Sequence, residues 1–214
     1  MKEDIKGIIF DLDGTLFDSC GMWHQIDIDF FKKRGMDIPK DYNKKIAPLG
    51  LVKAAEFSKR EYGIKESVED IIKEWHQMAV YQYEHNVYIK PYVKEYLEKC
   101  KNKGLKLAIA TANDEEFYMP CLKRNGIDKY FDFICDVNEF KGSKNTPEIY
   151  LHVANKLDMS PSNIAVFEDI PRAIKSAKEG GFYVVGVDDL SEIDLRDEKK
   201  ELSDLFISSF NELL

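Results

Sequence analysis

Near its start the chain reads Gly7-Ile8-Ile9-Phe10-Asp11-Leu12-Asp13-Gly14-Thr15-Leu16-Phe17-Asp18-Ser19, an apolar run that stops abruptly at two carboxylates. Residues 8–10 predict a buried strand. Residues i and i+2 of a strand share a side, and a turn beginning at Asp11 fans both carboxylates around one point. Asp11 is then placed to attack as a nucleophile, and Asp13 to exchange a proton with a leaving or entering oxygen. Gly14 permits the close backbone approach that a phosphate group needs.

After this strand the pattern turns helical. Ile26, Phe30 and Phe31 mark one apolar face, Leu51, Ala54, Ala55 and Phe57 another, and Ile71, Ile72, Trp75, Met78 and Ala79 a third. Gly35, Pro39, Pro48-Leu49-Gly50 and Gly63 punctuate them. Residues 18–89 therefore predict a small helical bundle. From Lys90-Pro91 onward strands alternate with helices. Strands are predicted at 105–110, 131–135, 164–167, 182–187 and 205–207, and helices at 93–103, 115–125, 147–157 and 171–179. Such alternation predicts an α/β core, a mostly parallel sheet with helices on both faces. The expected division is a core of residues 1–17 and 90–214 with an inserted helical domain at 18–89.

Composition narrows the partners. A net charge of −8 over 214 residues argues against general nucleic-acid binding, which needs a basic face, and against anionic membrane surfaces. No stretch approaches the roughly 18 apolar residues of a membrane span. Met1-Lys2-Glu3-Asp4-Ile5-Lys6 leads straight into the first strand without room for a signal peptide. The expectation is a cytoplasmic protein, a monomer or weak homodimer. Cys20, Cys100, Cys121 and Cys135 are scattered with no Cys-x-x-Cys pair, which predicts reduced, mostly packed thiols.

Parallel sheets bind ligands beyond the carboxyl ends of their strands, and there the polar residues fall. One strand ends at Asp11 and Asp13. Another runs into Thr111-Ala112-Asn113-Asp114, offering a hydroxyl and backbone amides, and a third into Glu168-Asp169. Lys144 lies in the loop before the 147–157 helix. Phosphoryl transfer needs these types together: a nucleophile in line with phosphorus and positive charge against the equatorial oxygens. Magnesium takes about six hard oxygens. Asp11, the backbone carbonyl of Asp13, Asp169 and the nearby Glu168 form a candidate Mg2+ set. Gly14, Thr111, Ala112, Asn113 and Lys144 are the candidate phosphate contacts.

The string from Asp11 to Ser19 resembles the first motif of the haloacid dehalogenase-like (HAD) superfamily. Ile109-Ala110-Thr111-Ala112-Asn113 is similar to the second motif, and Lys144-Asn145-Thr146-Pro147-Glu148-Ile149-Tyr150-Leu151 to the third. Phe167-Glu168-Asp169, followed by Ala173, Ala177 and Gly180-Gly181, resembles the fourth. The resemblance implies a Rossmann-like core with a helical cap inserted after the first motif, as in the subgroup of phosphoglycolate phosphatase and beta-phosphoglucomutase. It further implies a magnesium-dependent phosphatase acting on a small phosphorylated metabolite, a sugar phosphate, through an aspartyl-phosphate. Dehalogenases of the superfamily lack the second aspartate, so Asp13 favours phosphate chemistry. A beta-phosphoglucomutase-like mutase is the alternative, and a non-catalytic phosphometabolite-binding protein the third reading.

Some residues depart from the family pattern. Asn145 replaces a common proline, and Lys141 is a second candidate lysine, although Lys144 keeps the spacing to Pro147-Glu148. Ile170-Pro171 and Pro91-Tyr92 stand where smaller residues are usual. In the cap, Leu49 and Gly50 of the Pro48–Leu51 stretch are the candidate substrate loop. A mutase would need a second phosphate site, with Lys44, Lys45, Lys53, Lys59 and Arg60 as candidates. His24 is given no role. Trp23, Tyr42, Phe57, Trp75, Tyr81, Tyr83 and Tyr88 are expected mostly as cap core, with one free to stack on a sugar.

Overall fold

The computed structural model describes residues 2, 4–46 and 49–214, with residues 191 and 192 as backbone alone. In chain order its elements begin with β1 (Gly7–Phe10), β2 (Phe17–Asp18), α1 (Met22–Lys32), α2 (Tyr42–Ile46), α3 (Leu51–Tyr62) and α4 (Val68–His85). Then come β3 (Tyr88–Ile89), α5 (Val93–Asn102), β4 (Lys106–Thr111), α6 (Glu115–Asn125), β5 (Phe133–Asp136) and α7 (Val137–Phe140). The chain closes with α8 (Glu148–Lys156), β6 (Ile164–Glu168), α9 (Pro171–Glu179), β7 (Tyr183–Val187), α10 (Arg196–Leu202) and β8 (Leu205–Ile207).

Among the described residues, six strands form a parallel sheet in the order β5-β4-β1-β6-β7-β8. Every residue of β1 is buried, because β4 and β6 flank it and helices cover both faces. Successive side chains of a strand point to opposite faces. Ile9 accordingly joins Val166, Ile149, Val153 and Ile174 in one core layer. Phe10 belongs to the other, 4.9 Å from the Phe167 ring and 6.3 Å from Tyr96. Burying each such side chain is worth about 1.5–3 kcal/mol. From β1 the chain first builds β4 and β5 on one side, then β6, β7 and β8 on the other. That reversal puts the ligand crevice of an open α/β sheet at the carboxyl end of β1.

The chain groups into two compact units, Met1–Cys20 with Val87–Leu214, and Gly21–Asn86. A two-stranded antiparallel ribbon of β2 and β3 belongs to the first. The sequence shows no strand pattern there, since two residues carry no periodicity. It places residues 18–20 and 87–89 with the helical insert, whereas the structure groups them with the sheet.

Within the second unit, α4 packs against α1 and α3. Phe31 meets Tyr42 at 4.8 Å and Phe30 meets Trp75 at 5.3 Å. Ser67 caps α4 by accepting the Asp70 N–H at 3.0 Å, and Gly63 ends α3 in the left-handed region at φ 67°. Tyr42, Trp75 and Tyr83 are buried as expected, but Trp23 and Tyr81 are about half exposed, and Tyr88 lies in β3 of the first unit. Cys100, Cys121 and Cys135 are buried free thiols, with Cys20 partly exposed. Among the described residues, no helix is long and apolar enough to cross a membrane.

Candidate active site

The register of β1 on β6 sets the site. Phe10 pairs with Phe167, and the Asp11 N–H donates to the Phe167 carbonyl at 3.0 Å. Asp11 therefore emerges from the sheet beside Glu168, the last residue of β6, and Asp169. One carboxylate oxygen from each of the three lies within 4.8 Å of the others, and all three residues are buried. Three anions cannot share such a space without compensation. Burial, with the Asp11 charge adding to it and Lys144 opposing it, pushes the Glu168 carboxyl up to about 7. Burial and the charges of Asp11 and Glu168 hold Asp169 well above the usual carboxylate range.

Lys144 supplies the compensation by pairing with both Asp11 and Glu168. Burial works against its ammonium, but the two carboxylates outweigh this and hold its pKa above the ordinary lysine value. Lys141 is not brought to the cluster. It ends α7 in the left-handed region at φ 57° and is exposed.

Other side chains steer the carboxylates. The Tyr150 hydroxyl donates to Glu168 Oε1 at 2.6 Å, and Thr15 Oγ1 donates to Asp169 Oδ1 at 3.3 Å. Glu168 Oε2 is buried with no hydrogen-bond partner. An orphaned carboxylate oxygen among converging buried carboxylates fits a hard divalent cation such as Mg2+, which takes oxygen ligands and offsets their repulsion. The Asp13 carboxylate is outside this group among the described residues.

Asp13 is placed by a tightly wound loop. The Leu12 carbonyl accepts N–H groups from Thr15 at 3.2 Å, Leu16 at 2.9 Å and Phe17 at 2.7 Å, and the Gly14 N–H donates to Phe17 O at 3.1 Å. Gly14 thus offers space rather than a donor. Its φ is +79°, and a Cβ there would lie 2.2 Å from Asp169 Oδ2. Asn113 Nδ2 donates to Asp13 Oδ2 at 2.9 Å. The Asn113 N–H donates to Thr111 Oγ1 at 3.1 Å. Thr111 is buried at the end of β4, the strand beside β1, and Ala112 follows it on the surface.

Leu49 and Gly50 belong to the helical unit. The Leu49 N–H donates to Ile46 O at 2.9 Å, and Gly50 precedes α3 at φ 70°. Pro48 lies outside the described residues. Sequence reasoning missed the side-chain roles of Asn113, Tyr150 and Thr15.

The sequence profile of haloacid dehalogenase-like hydrolases matches residues 8–187. The chain belongs to that family. The phosphorylated carbohydrates phosphatase of Thermotoga maritima is 29% identical to this HAD-like hydrolase over 177 residues, covering 83% of this chain and 82% of the relative. The phosphoglycolate phosphatase of Escherichia coli K12 is 25% identical over 209 residues, with 86% and 82% covered. A crystal structure of a candidate beta-phosphoglucomutase from Thermotoga maritima overlays on this HAD-like chain with a TM-score of 0.83 at 26% identity, covering 95% of this chain and 94% of the other.

Proposed function

We propose that this HAD-like hydrolase is a magnesium-dependent phosphatase that hydrolyses a small phosphorylated metabolite, a sugar phosphate, through an aspartyl-phosphate on Asp11. The observation that carries this reading is the separate holding of the two aspartates. Asp11 is paired to Lys144 among the buried carboxylates, while Asp13 is held by Asn113 outside that group. A nucleophile and a proton carrier need such different surroundings.

An Asp11 carboxylate oxygen attacks phosphorus, the bond from phosphorus to the ester oxygen breaks, and Asp13 gives its proton to the departing alkoxide. Asp13, now a carboxylate, then takes a proton from the water that attacks the phosphorus of the aspartyl-phosphate. The bond from the Asp11 oxygen to phosphorus breaks, inorganic phosphate leaves, and Asp11 returns as a carboxylate with Asp13 again protonated. The Lys144 ammonium and the Thr111 hydroxyl balance the charge on the transferring group. A magnesium ion held by Asp11, Glu168, Asp169 and the Asp13 carbonyl would supply further positive charge against the phosphate oxygens. The proposed enzyme is cytoplasmic, a monomer or weak homodimer, with neither nucleic acid nor membrane as partner.

The sugar-phosphate preference rests on the Thermotoga phosphatase, named for phosphorylated carbohydrates. The structural neighbour named for beta-phosphoglucomutase favours a mutase as the second reading. Two of the candidate cations for a second phosphate site are engaged locally. Lys59 Nζ donates to the Lys65 carbonyl at 3.2 Å, and Arg60 Nε to Glu61 at 2.8 Å.

Phosphate release from a panel of sugar phosphates, phosphoglycolate and nucleotides, with magnesium or a chelator, tests the proposal. The expected result is magnesium-dependent release from a narrow set, reduced at least about 1,000-fold in Asp11→Asn. Isomer accumulation from beta-glucose 1-phosphate with a bisphosphate primer, without net phosphate release, would replace the phosphatase by the mutase. Full activity of Asp11→Asn would overturn the nucleophile assignment.

A further inference from the structure

The loop leaving β7 carries two carboxylates that the chemistry above does not use, Asp188 and Asp189. Glu168 of β6 pairs with Gly186 of β7, so these residues and Asp169 leave neighbouring parallel strands at the same edge of the sheet. The Asp188 N–H donates to the Ile207 carbonyl at 2.9 Å, and the Asp188 carboxylate pairs with Arg196 at 3.0 Å. Asp189 is buried, and its Oδ2 accepts from Lys90 Nζ at 2.7 Å. Lys90 also reaches two backbone carbonyls, its Nζ donating to Asp188 O at 2.8 Å and its N–H to Leu16 O at 2.8 Å. Leu16 belongs to the loop whose Thr15 hydroxyl donates to Asp169. Because β6 lies between β1 and β7, the loops after β1 and β7 flank Asp169, and Lys90 ties them together.

Asp189 brings negative charge to a place where compensation is already short, and that charge contributes to holding Asp169 above the usual carboxylate range. An ion pair is a costly brace between two loops, since an apolar pair of similar volume joins them without desolvating two charges. An apolar pair supplies no field. The negative end of this pair adds to the attraction that Asp11, Glu168 and Asp169 exert on a cation, and the positive end subtracts from it. We infer that Lys90 and Asp189 are positioning residues for a divalent cation: Asp189 strengthens its binding at Asp169 from the neighbouring loop, while Lys90 fixes Asp189 and moderates that effect. This inference rests on the proposed metal set of Asp11, Glu168 and Asp169.

The signs of the two charges separate this role from simple bracing. Asp189→Asn removes the negative charge and leaves Lys90, so cation binding weakens. Lys90→Met keeps a long unbranched side chain and removes the positive charge, so cation binding tightens. A divalent ion feels each unit charge twice over, and a change of at least about 3-fold is expected in each direction. Removing both charges together cancels the two effects. Bracing alone gives a different pattern, because either single variant loosens the same two loops and both then weaken binding.

Full-length, metal-free protein titrated with magnesium chloride in a calorimeter measures the dissociation constant directly, without turnover or substrate. The magnesium-dependent rise in Tm provides a second readout on the same preparations. Asp189→Asn is expected to raise the dissociation constant at least about 3-fold, and Lys90→Met to lower it by a similar factor. The double variant should lie within about 2-fold of wild type. Weaker binding in both single variants, or wild-type binding in both, would overturn the inference. Should Asp189→Asn fail to fold, Lys90→Met decides alone: tighter binding supports the inference, and equal or weaker binding overturns it. Absence of magnesium binding in the wild type itself would overturn the proposed metal set, and this inference with it, before any variant is compared.

Discussion

Tyr150 reaches the site from a helix rather than from a strand end, and its hydroxyl shares Glu168 Oε1 with Lys144. Fixing that oxygen leaves Oε2 as the one without a partner, so the hydroxyl sets the direction in which Glu168 can serve a cation. Tyr150→Phe removes the hydroxyl and keeps the ring volume, which confines the effect to this bond. Its expected outcome is a kcat lower by about 10-fold and a higher magnesium concentration for half-maximal activity, measured as phosphate release across a magnesium series. Stability should change by only about 1 kcal/mol. A variant with unaltered magnesium dependence would reduce Tyr150 to packing. That Asp11, Lys144, Glu168 and Asp169 come together was legible, because residue type and position at a strand end or loop already limit what they can touch. Tyr150, Asn113 and Thr15 read in sequence as a helix residue, a backbone amide and a turn hydroxyl. Their partners lie far along the chain, and no local pattern encodes a rotamer that reaches a carboxylate on another strand.

The loop from Leu12 to Phe17 is a second device, since its hydrogen bonds to the Leu12 carbonyl leave little room for adjustment. Gly14 sits within it at a positive φ and against Asp169. Gly14→Ala meets both penalties, a strained backbone and a methyl group that displaces the Asp169 carboxylate. It should cost about 1–3 kcal/mol of stability and lower kcat/KM by more than the mildly destabilised fold alone explains. Thermal unfolding and phosphate-release kinetics on the same preparation separate the two effects, and wild-type kinetics in Gly14→Ala would show that Asp169 tolerates the shift. The principal strands were readable because short apolar runs between turn residues have few other solutions in an alternating pattern. The β2–β3 ribbon, α7 and α10 were not. These pieces of two, four and seven residues are too short to show a period, and tertiary contacts rather than local preference hold them in place.

For the molecule as a whole, the buried carboxylates link stability, pH and metal. Glu168 rises from 4.5 unfolded to about 7 folded, and Asp169 moves in the same direction. The folded state thus binds more protons than the unfolded state between these values. The Glu168 contribution is fully present below about pH 4.5 and is lost as pH rises through about 7. Metal-free protein should therefore lose Tm across this window through the cluster, at about 2–4 °C for each kcal/mol. Magnesium held by these carboxylates as proposed would act oppositely, because it favours their deprotonated forms. At about 100 times its dissociation constant a ligand adds about 2.7 kcal/mol to the folded state, and this increment should be larger at about pH 8 than at about pH 5. Asp169→Asn separates the two terms. Removing one crowded charge should raise the Tm of the metal-free protein at about pH 8, while removing one ligand should abolish most of the magnesium increment. Thermal unfolding of wild-type and variant with chelator or magnesium, at both pH values, reads all four quantities. An Asp169→Asn protein that retains the full increment would take Asp169 out of the metal set and leave its burial as a purely structural cost.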